Sequence, residues 1–206
     1  MRNAQRRAAL VDTAIEVLAD QGARGLTFRA VDTRAGVPAG TTSNYFGSRD
    51  DLFTQAGGRI YQRLAPDPAT LTRSLTGPRD RQRVVELVHE LTGRIDAYRT
   101  GYLALLELRL EATRRPALRA VLTATVREDI EATIAYHLRT HLPGDSTTAV
   151  LLYLAINWLV FEQLTLPEVL HDIIAGSDLD GVVAAVVDRI LEATPGQPTP
   201  TTTTAP

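Results

Sequence analysis

The 206-residue sequence has no cysteine, and all 22 of its basic residues are arginine, so lysine is absent too. Without cysteine there can be no disulfide framework, zinc ribbon, iron–sulfur cluster or thiol nucleophile. Disulfides belong to oxidising compartments, and a cytoplasmic protein is the expectation in their absence. Aromatics are scarce at 5%, with a single Trp. Long apolar runs are missing as well. The longest uncharged stretch, from Ser146 to Phe161, falls short of the ~20 residues a membrane-spanning helix needs. The N-terminus, Met1-Arg2-Asn3-Ala4-Gln5-Arg6-Arg7, starts like a signal peptide, but Asp12, Glu16 and Asp20 interrupt the segment where an apolar core would have to lie. A soluble cytoplasmic protein with no membrane partner is expected.

The chain is 44% hydrophobic and 22% charged, enough for one domain or a small domain fused to a larger one. Its net charge of −2 argues against a generally nucleic-acid-coating protein, but the average hides a division. Residues 1–63 carry nine Arg against six acids, whereas residues 64–206 carry thirteen against eighteen. A basic head is joined to an acidic body.

Apolar residues recur with helical period almost throughout, which predicts an all-α fold. Val11, Ala14, Ile15 and Leu18 mark one face of a first helix over about 3–20, stopped by Gly22. Short helices are expected next, at about 28–35, 39–45 and 49–63. Pro66, Pro68, Gly77 and Pro78 predict a linker over 65–78. Helices of the body are expected near 82–98, 100–114, 118–142, 146–165 and 178–193, the last capped by Ser177 or Asp178. The helix at 146–165 is apolar on nearly every side and must be buried all round, by its own subunit or by another. The Thr- and Pro-rich tail, 194–206, has nothing to bury and is expected to be disordered. The expected domains are therefore 1–48, a connecting helix 49–64, the linker, a body 79–193 and the tail.

The informative stretch runs from Leu26 to Phe46. Thr27 suits the N-cap of a short helix with Phe28, Val31 and Ala35 on its inner face, and Gly36 supplies the turn residue that ends it. Pro38-Ala39-Gly40 then opens a second helix that exposes Thr41, Thr42, Ser43 and Asn44 and turns Phe46 inward. Short polar side chains on a helix can approach a groove floor and hydrogen-bond base edges. Thr27, Tyr45 and Arg49 surround that helix and can hold phosphates. Ser48 caps the next helix, with Asp51 completing a capping-box-like pair. A helical hairpin with a polar surface gives the same pattern, but the leading helix, the basic head and the helical body favour a DNA-reading helix-turn-helix.

The stretch from Leu26-Thr27 to Phe46, with Ser48-Arg49-Asp50-Asp51-Leu52, resembles the N-terminal domain of the TetR family of bacterial transcriptional regulators. The resemblance implies a three-helix DNA-binding head, then a larger helical body for ligand binding and dimerisation. It also implies that Thr27 is a phosphate-contacting cap, that Arg29 sits where some members read a guanine with Arg, and that Thr41, Ser43, Asn44 and Tyr45 hold the recognition contacts beside Gly40 and Thr42. Arg49 matches a basic residue that is more often Lys. Asp32 stands where most members have Ala, at the closest crossing of the two helices, and Ser43 replaces a frequent Tyr.

By the same resemblance, helices 146–165 and 178–193 form a homodimer interface, which would set two recognition helices on a palindromic operator. A small-molecule pocket would lie in the body, with Tyr98, Tyr102, Leu105, Glu107, Arg109, Asn157, Trp158 and Phe161 as candidates. Asn157, a lone amide in an apolar helix, needs a partner, either another helix or a ligand. Gly57-Gly58 weakens the connecting helix and marks either a flexible coupling or simple looseness. His137 and His141 lie one turn apart, but with no third ligand they read as a solvated helix end rather than a metal site. No cofactor is implied, and no catalytic set appears. The expected function is a repressor released from operator DNA by a small molecule. A ligand-blind DNA-binding dimer and a helical enzyme are the alternatives.

Overall fold

A computed structural model describes residues 2–169 and 179–193; the expected cap at Ser177 or Asp178 and the tail lie outside them. Among the described residues every regular element is helical. In order these are α1 (Arg2–Gly25), α2 (Phe28–Arg34), a 3-10 turn (Thr42–Asn44), α3 (Arg49–Leu64), α4 (Pro68–Ser74), α5 (Arg81–Ala97), α6 (Arg99–Ala112), α7 (Pro116–Arg139), α8 (Ser146–Thr165) and α9 (Leu179–Ala193). Two compact units emerge among the described residues: 2–68 with 94–129, and 69–93 with 130–169 and 179–193. The head thus shares its unit with α6 and the first part of α7. The segment expected as a linker over 65–78 contains α4, whose Pro68 occupies a first-turn position where a missing N–H costs nothing.

In the first unit α1 packs on α2, α3 and α6. Leu10, Ala14, Ile15, Val17 and Leu18 of α1 are buried with Phe53 and Ile60 of α3 and Leu108 of α6. Burial of each large apolar side chain contributes about 1.5–3 kcal/mol. Asp12 ties α1 to α3, accepting from Arg59 Nε at 2.9 Å and Nη2 at 3.0 Å. Gly57 packs closely, since an added Cβ would lie 3.0 Å from Leu122 Cδ2, whereas Gly58 has open space around it.

In the second unit α8 packs on α9, burying Leu152, Ile156, Leu159 and Val160 with Val183 and Val187. Asp145 and Thr148 form a capping box at the start of α8, with Thr148 N–H donating to Asp145 Oδ1 at 2.9 Å. His137 does not sit at a solvated helix end. The residue is 5% exposed, and Nε2 lies 2.9 Å from the Pro143 carbonyl oxygen. Burial pushes its pKa below the usual value. The α8 helix is long and apolar enough, by length and composition, to cross a membrane. Its own chain does not bury it all round: Leu151, Leu154 and Trp158 are 43%, 57% and 64% exposed.

Candidate nucleic-acid interface

Local sequence builds the head from α2 and the turn after it. Thr27 caps α2 through its side-chain oxygen, which accepts from Ala30 N–H at 3.0 Å. Gly36 ends α2 with φ +63°, a backbone state that glycine adopts freely. Phe46 is buried at the far end of the turn.

The second helix of the motif, expected over 39–45, is reduced to the 3-10 turn Thr42–Asn44. Gly40 explains the shortening. Its φ of +87° lies outside the helical region, so no helix propagates from Pro38. Thr41 Oγ1 donates to the Pro38 carbonyl at 2.6 Å, and Ser43 Oγ donates to the Gly40 carbonyl at 2.8 Å. Ser43 and Asn44 are exposed, Thr41 and Tyr45 are half-buried, and Arg29 is exposed on α2.

Two expected contact residues turn inward. Thr42 is fully buried, because its hydroxyl donates to Asp32. Arg49 reaches back to the Ala23 carbonyl at the end of α1, and its guanidinium lies 5.1 Å over the Phe53 ring. The half-buried Arg49 guanidinium is thus held against the head's own chain.

Asp32 ties the turn to α2. It is 3% exposed, and its carboxylate accepts from Gly40 N–H at 2.7 Å, Thr42 N–H at 2.7 Å and Thr42 Oγ1 at 2.5 Å. Burial pushes its pKa up, but these bonds outweigh burial and hold it below the usual carboxylate range. The sequence signal is the departure from Ala together with a glycine eight residues on and a threonine ten residues on. Arg7 was also missed: Nη1 donates to the Tyr45 carbonyl at 2.7 Å, and its guanidinium lies 4.7 Å over Phe46. An open cleft beside it is lined by Asn3, Ala4, Arg7, Asn44 and Tyr45.

The pocket candidates are divided between the two units. Tyr98, Tyr102, Leu105, Glu107 and Arg109 belong to the first unit, and Asn157, Trp158 and Phe161 to the second. Tyr98 has Arg63 over its ring at 3.9 Å, while Tyr102 and Leu105 are buried. Glu107 is spent on structure, accepting from Ala23 N–H at 2.9 Å where Gly22 breaks α1. Arg109 is exposed. Asn157 Nδ2 donates within its own helix to the Tyr153 carbonyl at 2.8 Å. Trp158 stacks on Phe161 with centroids 5.1 Å apart and belongs to the exposed stripe of α8.

A helical head that presents a short polar turn, joined to a helical body, is the build of a DNA-binding transcriptional regulator. Comparison makes the class specific. Residues 10–56 match the family model for bacterial regulatory proteins of the tetR family, and residues 79–193 match the tetracyclin repressor-like C-terminal domain. The chain belongs to the TetR family. It is 27% identical over 146 residues, 70% of each chain, to the transcriptional regulator BetI of Rhizobium meliloti (strain 1021). The multidrug binding protein EbrR, solved with imidazole, is 27% identical with a TM-score of 0.61, over 96% of this chain and 97% of that one. A TetR-family member of Streptomyces coelicolor A3 is also 27% identical, with a TM-score of 0.64, over 90% and 98%.

Proposed function

We propose that the chain is a homodimeric, cytoplasmic repressor that leaves a palindromic operator when a small molecule occupies its body. The exposed stripe Leu151, Leu154 and Trp158 carries the dimer reading. These residues recur at helical spacing on one face of α8, and apolar area of that kind is stable when a second copy covers it. In this reading α8 and α9 pair with their copies, and α8 faces protein rather than a bilayer. Two heads related by a two-fold axis then address two half-sites. Arg29, Thr41, Ser43, Asn44 and Tyr45 make the DNA contacts at each, and Thr27 adds a phosphate contact.

The ligand reading is supported by EbrR, solved with imidazole, proflavin and ethidium. Tyr102 and Leu105 of α6 are the residues we retain as candidates for an effector site. An effector shifts DNA affinity only through its different affinity for the DNA-bound and free arrangements. The test is a melting screen of the DNA-free protein, then operator titration with each stabilising compound that does not itself intercalate. A compound that raises Tm and weakens operator binding at least about tenfold, or about 1.4 kcal/mol, is expected. Compounds that raise Tm with operator affinity unchanged would instead make the body a ligand-blind dimerisation module.

A further inference from the structure

We propose that Asp32 is a positioning residue for DNA reading: its buried carboxylate sets the conformation of the turn that presents Thr41, Ser43 and Asn44. This rests on the reading that the turn contacts base edges.

The turn lacks the regular ladder that would hold an α-helix in one shape. Gly40 has left the helical region at φ +87°, and only Thr42–Asn44 forms a 3-10 segment. Such a segment is short and has poorer hydrogen-bond geometry than an α-helix. The N–H groups of Gly40 and Thr42, on either side of Thr41, both point to one acceptor, the Asp32 carboxylate. The two bonds go to different oxygens, Oδ2 for Gly40 and Oδ1 for Thr42, so the rigid carboxylate plane fixes the spacing between the two amides. The Thr42 hydroxyl adds a third bond to Oδ1 and brings its side chain fully out of solvent.

Asp32 itself cannot move away. It sits in α2 beside Val31, which is completely buried, and is 3% exposed. A carboxylate accepting charge-assisted bonds in a site of low polarisability is held more firmly than a neutral acceptor. Ser43 and Asn44 are thereby presented on a preset frame, which lowers the ordering cost of binding DNA. Ala at position 32 would leave both amides without that acceptor, and the turn would have to find another conformation.

Asparagine is the discriminating replacement. Its carbonyl oxygen can keep the two bonds from Thr42, but its NH2 would face the Gly40 N–H, donor against donor. Thr42→Val is a milder, isosteric probe that deletes the hydroxyl bond alone.

The test uses full-length protein and a duplex that the wild type has selected from a randomised DNA pool. Affinity is measured for this duplex and for a scrambled duplex at one stated salt concentration, alongside Tm and amide hydrogen exchange. Asp32→Ala should lose roughly tenfold to a hundredfold in specific affinity, while the scrambled duplex binds nearly as before. Asp32→Asn should fall between Ala and wild type, and Thr42→Val should lose the least. Exchange at Gly40 and Thr42 should accelerate in the Asp32 variants. In a variant that still folds, an equal loss on the selected and the scrambled duplex would overturn the proposal. If Asp32→Ala fails to fold, Asp32→Asn and Thr42→Val decide, and unchanged discrimination in both rejects the idea. Asn44→Ala and Ser43→Ala serve as reference. If they cost specific affinity and the Asp32 variants do not, the positioning role fails. If Asn44→Ala and Ser43→Ala leave the specific affinity unchanged, the base-reading role of the turn fails, and this proposal with it.

Discussion

The head and helix α8 treat their large apolar side chains in opposite ways. In the head, Phe46, Phe53, Leu18 and Leu26 are at most 1% exposed, whereas α8 leaves Leu151, Leu154 and Trp158 in solvent. The head is complete within one chain, and its outward face is short and polar. The outward side of α8 is apolar instead. A surface of the first kind suits a hydrated, charged duplex, and one of the second kind suits a copy of itself.

The harshest way to break this contrast is to charge the α8 face. Leu154→Arg with Trp158→Arg should yield a folded monomer in sedimentation, and operator affinity should fall by about a hundredfold or more, as for loss of central interface anchors. A double variant that remains dimeric would move the interface elsewhere. Within the head, Arg29→Ala or Asn44→Ala should each cost roughly 1–3 kcal/mol of operator binding with Tm unchanged. Titration against the selected and mutated duplexes checks this.

Arg49 sharpens the comparison from inside the head. The sequence pattern puts it on a phosphate, yet it holds the Ala23 carbonyl and covers Phe53. Arg49→Ala should therefore lower stability by about 1–2 kcal/mol in denaturant unfolding. It should leave the salt dependence of DNA binding unchanged, whereas a phosphate contact would reduce that slope.

Acid provides the smallest effect, and it separates the units. His137 is buried in its neutral form, so its folded pKa lies below the unfolded value near 6.5. The unfolded chain binds the proton more readily in that window. Stability is thus full above pH 6.5 and declines as pH falls through the interval down to the folded pKa. Asp32, also lowered, adds its loss only below the ordinary carboxylate range. Thermal melts across pH 5–8 should show the first decline, and His137→Gln should flatten it.

Much of the fold is legible in the sequence because it rests on local rules. The 3.6-residue period of apolar side chains locates α1, α6, α7 and α8, and Thr27 and Gly36 mark the ends of α2 through cap and turn chemistry. The features that escape depend on contacts between distant residues. Gly57 looks like a weak point in sequence and is a close approach to Leu122. Glu107 looks like a pocket carboxylate and caps a break 84 residues earlier in the chain. Gly40 is expected to open a helix and instead prevents one, because a single positive φ decides whether the helical ladder can start. Asp32 reads as a departure from a small residue, and its partners become visible only when the turn folds back over it.

The reading of this chain as a two-headed operator binder is tested most directly by selecting duplexes from a randomised pool with the wild-type protein at fixed salt, and weighing the complexes. The expected result is an inverted repeat whose half-sites are centred about 34–36 Å apart, with one two-fold pair of chains per site. A set of selected sequences with no shared element, or one chain seated on a single half-site, would contradict it.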